Sequence, residues 1–188
     1  MARDPREAVT HAKGDGAELA PDPTLGIAAH NHGACVSRVL ARVGDLCAAQ
    51  QLRLTPTRRR TLELLLESHT ALGAYDVLRR LQEDGLGAQP PAAYRALDFL
   101  VEHGFAHRIE RLNAFVACMH PGAGHVPAFM ICRHCRAVAE ACLPENAPGL
   151  ANALAREAEA AGFQIERRVL EAEGVCAGCR DDAGSGPS

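Results

Sequence analysis

The sequence predicts an α+β chain in two parts: a helical N-terminal half closed by a short β-hairpin, and a smaller C-terminal half of strands and one helix. Three observations predict it. Apolar residues recur at helical spacing through successive segments between residues 36 and 103. After Gly104 the period shortens to two, over FAHRIERLNAFVACM. Two Cys-x-x-Cys pairs, Cys132 with Cys135 and Cys176 with Cys179, then bracket a second run of strand-like segments.

The chain of 188 residues is long enough for one or two modest cores. A hydrophobic content of 47% with few aromatics is that of an ordinary globular protein. No apolar run approaches the ~20 residues of a membrane span. The N-terminus shows no apolar signal segment, so a cytoplasmic protein with no membrane partner is expected. The formal charge of −3 gives no general attraction to nucleic acid. Binding of that kind needs a local basic patch and an oriented helix.

Residues 1–34 are rich in Ala, Gly, Pro and Asp without sustained periodicity and read as a disordered extension. His11, His30 and His32 in it read as solvated side chains rather than metal ligands. The first packed helix covers 36–51, with Val36, Val39, Leu40, Val43, Leu46 and Cys47 on one face. Thr55-Pro56 caps and opens a second helix, which buries Leu62, Leu65 and Leu66. A third, over 74–84, buries Ala74, Val77, Leu78 and Leu81, and Gly85 stops it. Pro90-Pro91 opens a fourth, with Ala93, Leu97, Leu100 and Val101 inward. Gly104 ends that helix, and two strands follow across a turn at Leu112-Asn113.

Helices followed by a two-stranded wing predict a winged helix-turn-helix over 35–119. Its fourth helix is the recognition helix, entering a DNA major groove by its N-terminal residues. With Leu97, Leu100 and Val101 inward, Tyr94, Arg95 and Asp98 face out. Arg95 can fork onto a guanine edge or a phosphate, and Tyr94 can pack on a thymine methyl or bond a phosphate. Arg58, Arg59 and Arg60 form a basic patch suited to phosphates. Alone they would read as a solvated helix face, and the helical order and the wing favour the phosphate reading.

A hinge over 120–127 leads to a second domain over 128–180. AFMIC and RAVAEA are strands flanking the first Cys pair, and PENAPGLANALAREAEAAG is a helix with Leu150, Leu154, Ala158 and Ala161 on one side. FQIERRVLEAEGVC is a final strand, alternating at Phe163, Ile165 and Val169, and residues 181–188 are a disordered tail. A unit this small needs a staple or a second copy of itself.

The two Cys pairs can close one tetrahedral four-thiolate site around zinc and tie the last strand to an earlier one. A redox dithiol or a disulfide pair is the alternative, although a reducing compartment favours metal. Cys35, Cys47 and Cys142 read as small hydrophobes. Strand alternation puts Cys142 on the face of Glu140, where it is a candidate ligand during metal exchange.

A looser set of ligand types lies between the halves: His107, Cys118, His120, His125, His134 and Glu140. Here AYDVLRRL, PPAAYRALDFLVEHGFAHRIE, MICRHCRAVAE and GVCAGC together resemble the ferric uptake regulator family, nearest to its zinc uptake regulator branch. The resemblance spans about residues 36–180. It implies a winged helix, a hinge and an α/β dimerisation domain, with structural zinc on Cys132, Cys135, Cys176 and Cys179. It also implies a regulatory zinc site on His107, Cys118, His125 and Glu140, while His120 and His134 match no ligand position. Two zinc ions per monomer follow, in a homodimer that binds operator DNA when the regulatory site is filled and represses zinc-uptake genes.

Two departures bear on that expectation. Iron-sensing members carry a His-His-Asp-His run before the first Cys pair, where this chain has GHVPAFMIC with only His125. A thiolate in the regulatory set also favours zinc over iron. The family's Thr or Ser before the recognition-helix Tyr-Arg is replaced by Ala92-Ala93, which removes a capping or phosphate-binding hydroxyl. An iron, manganese or peroxide sensor of the same family is the nearest alternative, and a thiol-switch zinc protein a further one. A zinc enzyme is not expected, because four candidate ligands leave no open position and the deaminase pattern is absent.

Overall fold

The computed structural model describes residues 32–67, 70–86, 89–123, 125–144, 149–166 and 168–184. Residues 1–31 of the expected extension, with His11 and His30, and the last four residues of the tail lie outside them. Four helices come first: α1 (His32–Ala49), α2 (Pro56–Leu66), α3 (Ala74–Glu83) and α4 (Pro90–Glu102). The wing is β1 (Ala106–Ile109) and β2 (Ala114–Ala117) across a 3-10 turn, Glu110–Leu112. The second domain runs β3 (His125–Cys132), β4 (Val138–Pro144), α5 (Leu150–Ala160), β5 (Leu170–Gly174) and α6 (Ala177–Gly184).

The helical half is held by the stripes its sequence spells out. Val39, Val43, Leu62, Leu65, Val77, Leu81, Leu97 and Leu100 are all buried in one core, joined by Phe99 and Phe105. Each such side chain contributes about 1.5–3 kcal/mol by leaving water. Thr55 caps α2, its hydroxyl accepting from the Arg58 amide, with Pro56 at the first helical position. Asn113 takes the left-handed conformation, φ 46°, that closes the wing as an antiparallel pair with Ile109 opposite Ala114.

The three-stranded sheet has the order β4-β3-β5, with β4 antiparallel and β5 parallel to the central β3. The parallel pair requires a crossover, which α5 supplies. A second core of Ile109, Phe129, Ile131 and Val138, flanked by Ala71, Leu112, Val116 and Val169, lies where the wing packs on this sheet. The loop before α3 adds single β-bridges on both sides, Leu72 with Phe115 and Thr70 with Ala137. Among the described residues no helix is long and apolar enough to cross a membrane.

Several boundaries differ from those read in the sequence. Helix α1 starts at His32, inside the expected extension, and β3 starts at His125, inside the expected hinge, because 125–127 already pair with 142–144. The last strand is shorter than the alternation implied. Gly162 turns left-handed at φ 64°, and the Phe163 amide bonds back to Ala158 O, so Phe163 finishes the C-terminal cap of α5. Cys176 directly precedes a helix that carries Cys179, and that helix reaches Gly184, inside the segment read as a tail.

Candidate metal centres and DNA-facing helix

The thiol cluster is built by strand register. Cys132 ends β3 opposite Gly174 of β5, so Cys176, two residues further on, arrives beside it. Arg136 adopts φ 59° and its amide returns to Cys132 O, folding Cys135 back over the strand end. Cys179 follows on the first turn of α6. All four thiols lie within 4.8 Å of one another, and Cys135 Sγ is 3.7 Å from Cys176 Sγ. A tetrahedron with Zn–S bonds of about 2.3 Å has edges of about 3.8 Å, so the donor set fits zinc. The Cys176 and Cys135 amides, aided by His134, hold the Cys132 thiol down to about 5. Cys179 is pushed up to about 12, its proton shared first with Cys176 and Cys135. The main-chain amides around Cys132 thus favour its charged form.

The second cluster joins the two halves. His107 projects from β1, Cys118 follows β2, His125 opens β3 and Glu140 sits mid-way along β4. Their donor atoms also lie within 4.8 Å of one another. Glu140 Oε1 is 3.0 Å from His125 Nε2, 3.1 Å from His107 Nε2 and 3.7 Å from Cys118 Sγ. Cys118 is 0% and Glu140 6% exposed, so this charge has left water and needs partners.

Burial alone would push the Glu140 carboxyl up. The His107 and His125 imidazoles and the Met119 amide, 2.8 Å from Oε2, outweigh it and hold the group at about 2. The same carboxylate pushes His125 above its ordinary value, against the effect of burial. Neighbouring His120, outside the cluster, is lowered chiefly by burial.

His107 carries the test of metal fit. Its Nε2 is near Glu140 yet off the hydrogen-bonding direction, and this buried nitrogen has no hydrogen-bond partner among the described residues. A buried donor atom left unpaired among a thiol, an imidazole and a carboxylate is costly for a protein alone. It suits an N/S/O metal site, and the thiol in the set favours zinc over iron. The Met119 amide and Ala123 carbonyl, which orient Glu140 and His125, are main-chain groups that no sequence motif marks.

On α4, Ala93, Leu97 and Leu100 are buried while Tyr94 is 44% exposed and Arg95 and Asp98 face solvent. The helix starts at Gln89, whose side chain makes no cap bond, so Ala92-Ala93 lie at the third and fourth helical positions, where a hydroxyl would not be the N-cap. The three arginines of α2 are not equivalent. Arg58 lies 3.7 Å over the Phe99 ring and donates to Arg53 O, and Arg59 pairs with Glu63. Arg60 is engaged by Asp84, Glu67 and Glu63. Tyr75, at the start of α3, is 78% exposed, a large aromatic that helical periodicity alone did not single out. The side chain of Cys142 lies outside the described residues.

A winged helix joined to a small α/β domain, with one donor cluster inside that domain and another across the junction, defines a metal-binding DNA-regulator architecture. No family model matches the chain. It is 40% identical over 142 residues to the zinc uptake regulation proteins of Escherichia coli (strain K12) and Shigella flexneri, covering 75% of this chain and 81% of each relative. Its structure is similar to a zinc uptake regulator complexed with zinc and DNA, with TM-score 0.71 and 38% identity over 79% of this chain and 97% of that one. It is also similar to holo XcZur, with TM-score 0.68 and 39% identity over 78% and 99% of the two chains. The chain belongs to the ferric uptake regulator family, on its zinc uptake regulator branch.

Proposed function

We propose that this chain is a zinc-responsive, homodimeric transcriptional repressor that binds operator DNA when its junction site is filled and controls zinc-uptake genes. The observation that carries the reading is the junction cluster itself, with His107 from the wing and Cys118, His125 and Glu140 around it. The similarity to a regulator complexed with zinc and DNA supports it. In this reading each monomer holds two zinc ions in the cytoplasm. Cys132, Cys135, Cys176 and Cys179 hold the structural ion, and His107, Cys118, His125 and Glu140 the regulatory one. Zinc, when bound, supplies a strong multidentate link that favours one arrangement of the wing on the sheet.

The chain's own residues do the rest. Seating His107 against Glu140 fixes the angle of the helical half, and so the placement of Tyr94 and Arg95 on α4. Arg95 reads a base edge, Tyr94 and Tyr75 pack on the backbone or a methyl, and Arg58 and Arg59 approach phosphates. Arg60, held by acids, shapes the helical half. A second copy supplies the other half-site, about one helical turn away. Two features support self-pairing: β5 has an outer edge with no strand partner among the described residues, and Met130, Leu154 and Phe163 are exposed. Because both ligands favour one arrangement, DNA tightens zinc binding as much as zinc tightens DNA binding.

The test is DNA binding to upstream regions of zinc-uptake genes across buffered free zinc, with zinc counted per monomer. Affinity that rises only as a second zinc binds is expected. Affinity flat across zinc levels would sink the reading.

A further inference from the structure

The wing meets the sheet at a second polar place besides the junction cluster. Across β4, β3 and β5, Phe129 is the partner of both Glu140 and Glu171, so these three side chains share one face of the sheet in a row. The wing runs along that row. His107 stands 3.1 Å from Glu140, Ile109 packs in one core with Phe129, and the next two amides reach Glu171. The Glu110 and Arg111 N–H groups donate to the two Glu171 carboxylate oxygens at 2.9 and 3.4 Å. Two partner pairs further along β5, on the same face, Glu173 lies 2.7 Å from Arg111 Nε.

We propose that Glu171 and Glu173 form a clamp that sets the zinc affinity of the junction site from outside its ligand set. The inference rests on the zinc-sensor reading. His107 can share a site with Glu140 only while the wing is seated on the sheet. A chain seated for a fraction of the time binds with affinity reduced by that fraction.

The clamp orders the turn that directly follows the His107 strand, so it raises the seated fraction. Neither carboxylate takes part in the backbone ladder that holds the sheet, and the wing turn closes on itself through the Asn113 amide and Glu110 O. Both acids therefore act across the junction. Carboxylate-to-amide bonds are charge-assisted, yet the groups are solvent-exposed and salt-screened. A contact of that strength tunes an equilibrium and cannot replace the metal. Glu171 and Glu173 are positioning residues, not ligands.

The test uses the full chain with its four-cysteine site loaded, titrated with zinc against a chromophoric chelator. A Glu171→Ala, Glu173→Gln variant is expected to lose roughly 3- to 10-fold in junction-site affinity. Its midpoint for zinc-dependent DNA binding should rise by the same factor, while four-cysteine zinc content, the sign of an intact domain, stays at wild type. Added salt should weaken zinc binding more in the wild type than in this variant. Pairing Arg111→Glu with Glu173→Arg should recover affinity lost by either change alone, which a general loss of stability would not do. A double variant with wild-type zinc affinity and salt dependence, in a chain that otherwise responds to zinc, overturns the clamp alone. A wild-type chain that takes up no second zinc overturns the sensor reading and the clamp together.

Discussion

His107 Nε2 and Glu140 Oε1 stand 3.1 Å apart across the junction between wing and sheet, one contributed by each half of the chain. That buried nitrogen has no hydrogen-bond partner among the described residues. Glu140→Gln keeps the shape of the carboxylate and removes its charge and one ligand oxygen's basicity. Even outer-shell changes cost about 10–100-fold in metal affinity, so loss of a ligand should cost at least that. Zinc titration should show one ion retained on the thiol cluster and the second weakened by at least about 100-fold, with zinc-dependent DNA binding lost in parallel.

Acid should act through the same residue. An ordinary glutamate titrates near ~4.3, whereas Glu140 is held at about 2. Its folded-state value is depressed, so its stabilisation is complete above the unfolded value and is lost as pH falls through the folded one. The lowering is worth on the order of 3 kcal/mol. His125, raised by Glu140, works in the opposite sense: its share is present below its unfolded value and fades as pH rises past the folded one. Urea unfolding of protein carrying zinc only on the thiol cluster should show stability falling between about pH 4.5 and 2. Glu140→Gln should flatten that limb and should also remove the His125 contribution at higher pH.

The thiol cluster predicts a different failure. Cys132 links the end of β3 to the Cys176 amide and sits directly across from β5. Cys132→Ser removes the thiolate that the surrounding amides stabilise, and with it the staple of a domain too small to hold alone. Zinc per monomer should fall, the second domain should lose protection in amide exchange, and sedimentation should report monomer. The α1–α4 core, which shares none of these residues, should keep its helical signal.

How legible each part was depended on what carried the signal. The α1–α4 core was written in apolar spacing, and Thr55-Pro56 and Gly85 marked helix ends that the structure keeps. Phe163 and Ile165 imitated a strand, because a cap residue after Gly162 and its neighbours happen to alternate. The true β5, LEAEG, lies inside the strand read from the sequence, but its two acids work across the junction and leave no apolar alternation to mark where it starts. The four cysteines stood out by spacing alone. The junction set did not, since its members come from three strands and a loop. Only the resemblance separated His107 and His125 from His120 and His134. Glu171 was invisible for a simpler reason: two of its partners are backbone amides.

The arginines give the last contrast. Arg60 Nε lies 2.6 Å from Asp84 and its Nη1 2.8 Å from Glu67, and the Asp84 hydrogen bond raises its pKa further. Arg95 faces solvent on α4, one residue beyond exposed Tyr94 and opposite the buried stripe. Arg95→Ala should therefore cost about 1–3 kcal/mol of operator binding and relax discrimination at one base pair, with little change in thermal stability. Arg95→Lys should not rescue it, because an ammonium lacks the planar fork that meets a guanine edge. Arg60→Ala should do the reverse, lowering the melting temperature while the folded protein keeps its operator affinity. The two measurements together, fluorescence anisotropy and thermal unfolding, separate a reading arginine from a bracing one. If Arg60→Ala instead made the salt dependence of DNA binding shallower by about one phosphate contact, its acidic partners would have to release it on DNA, and the basic patch would include all three residues of the run.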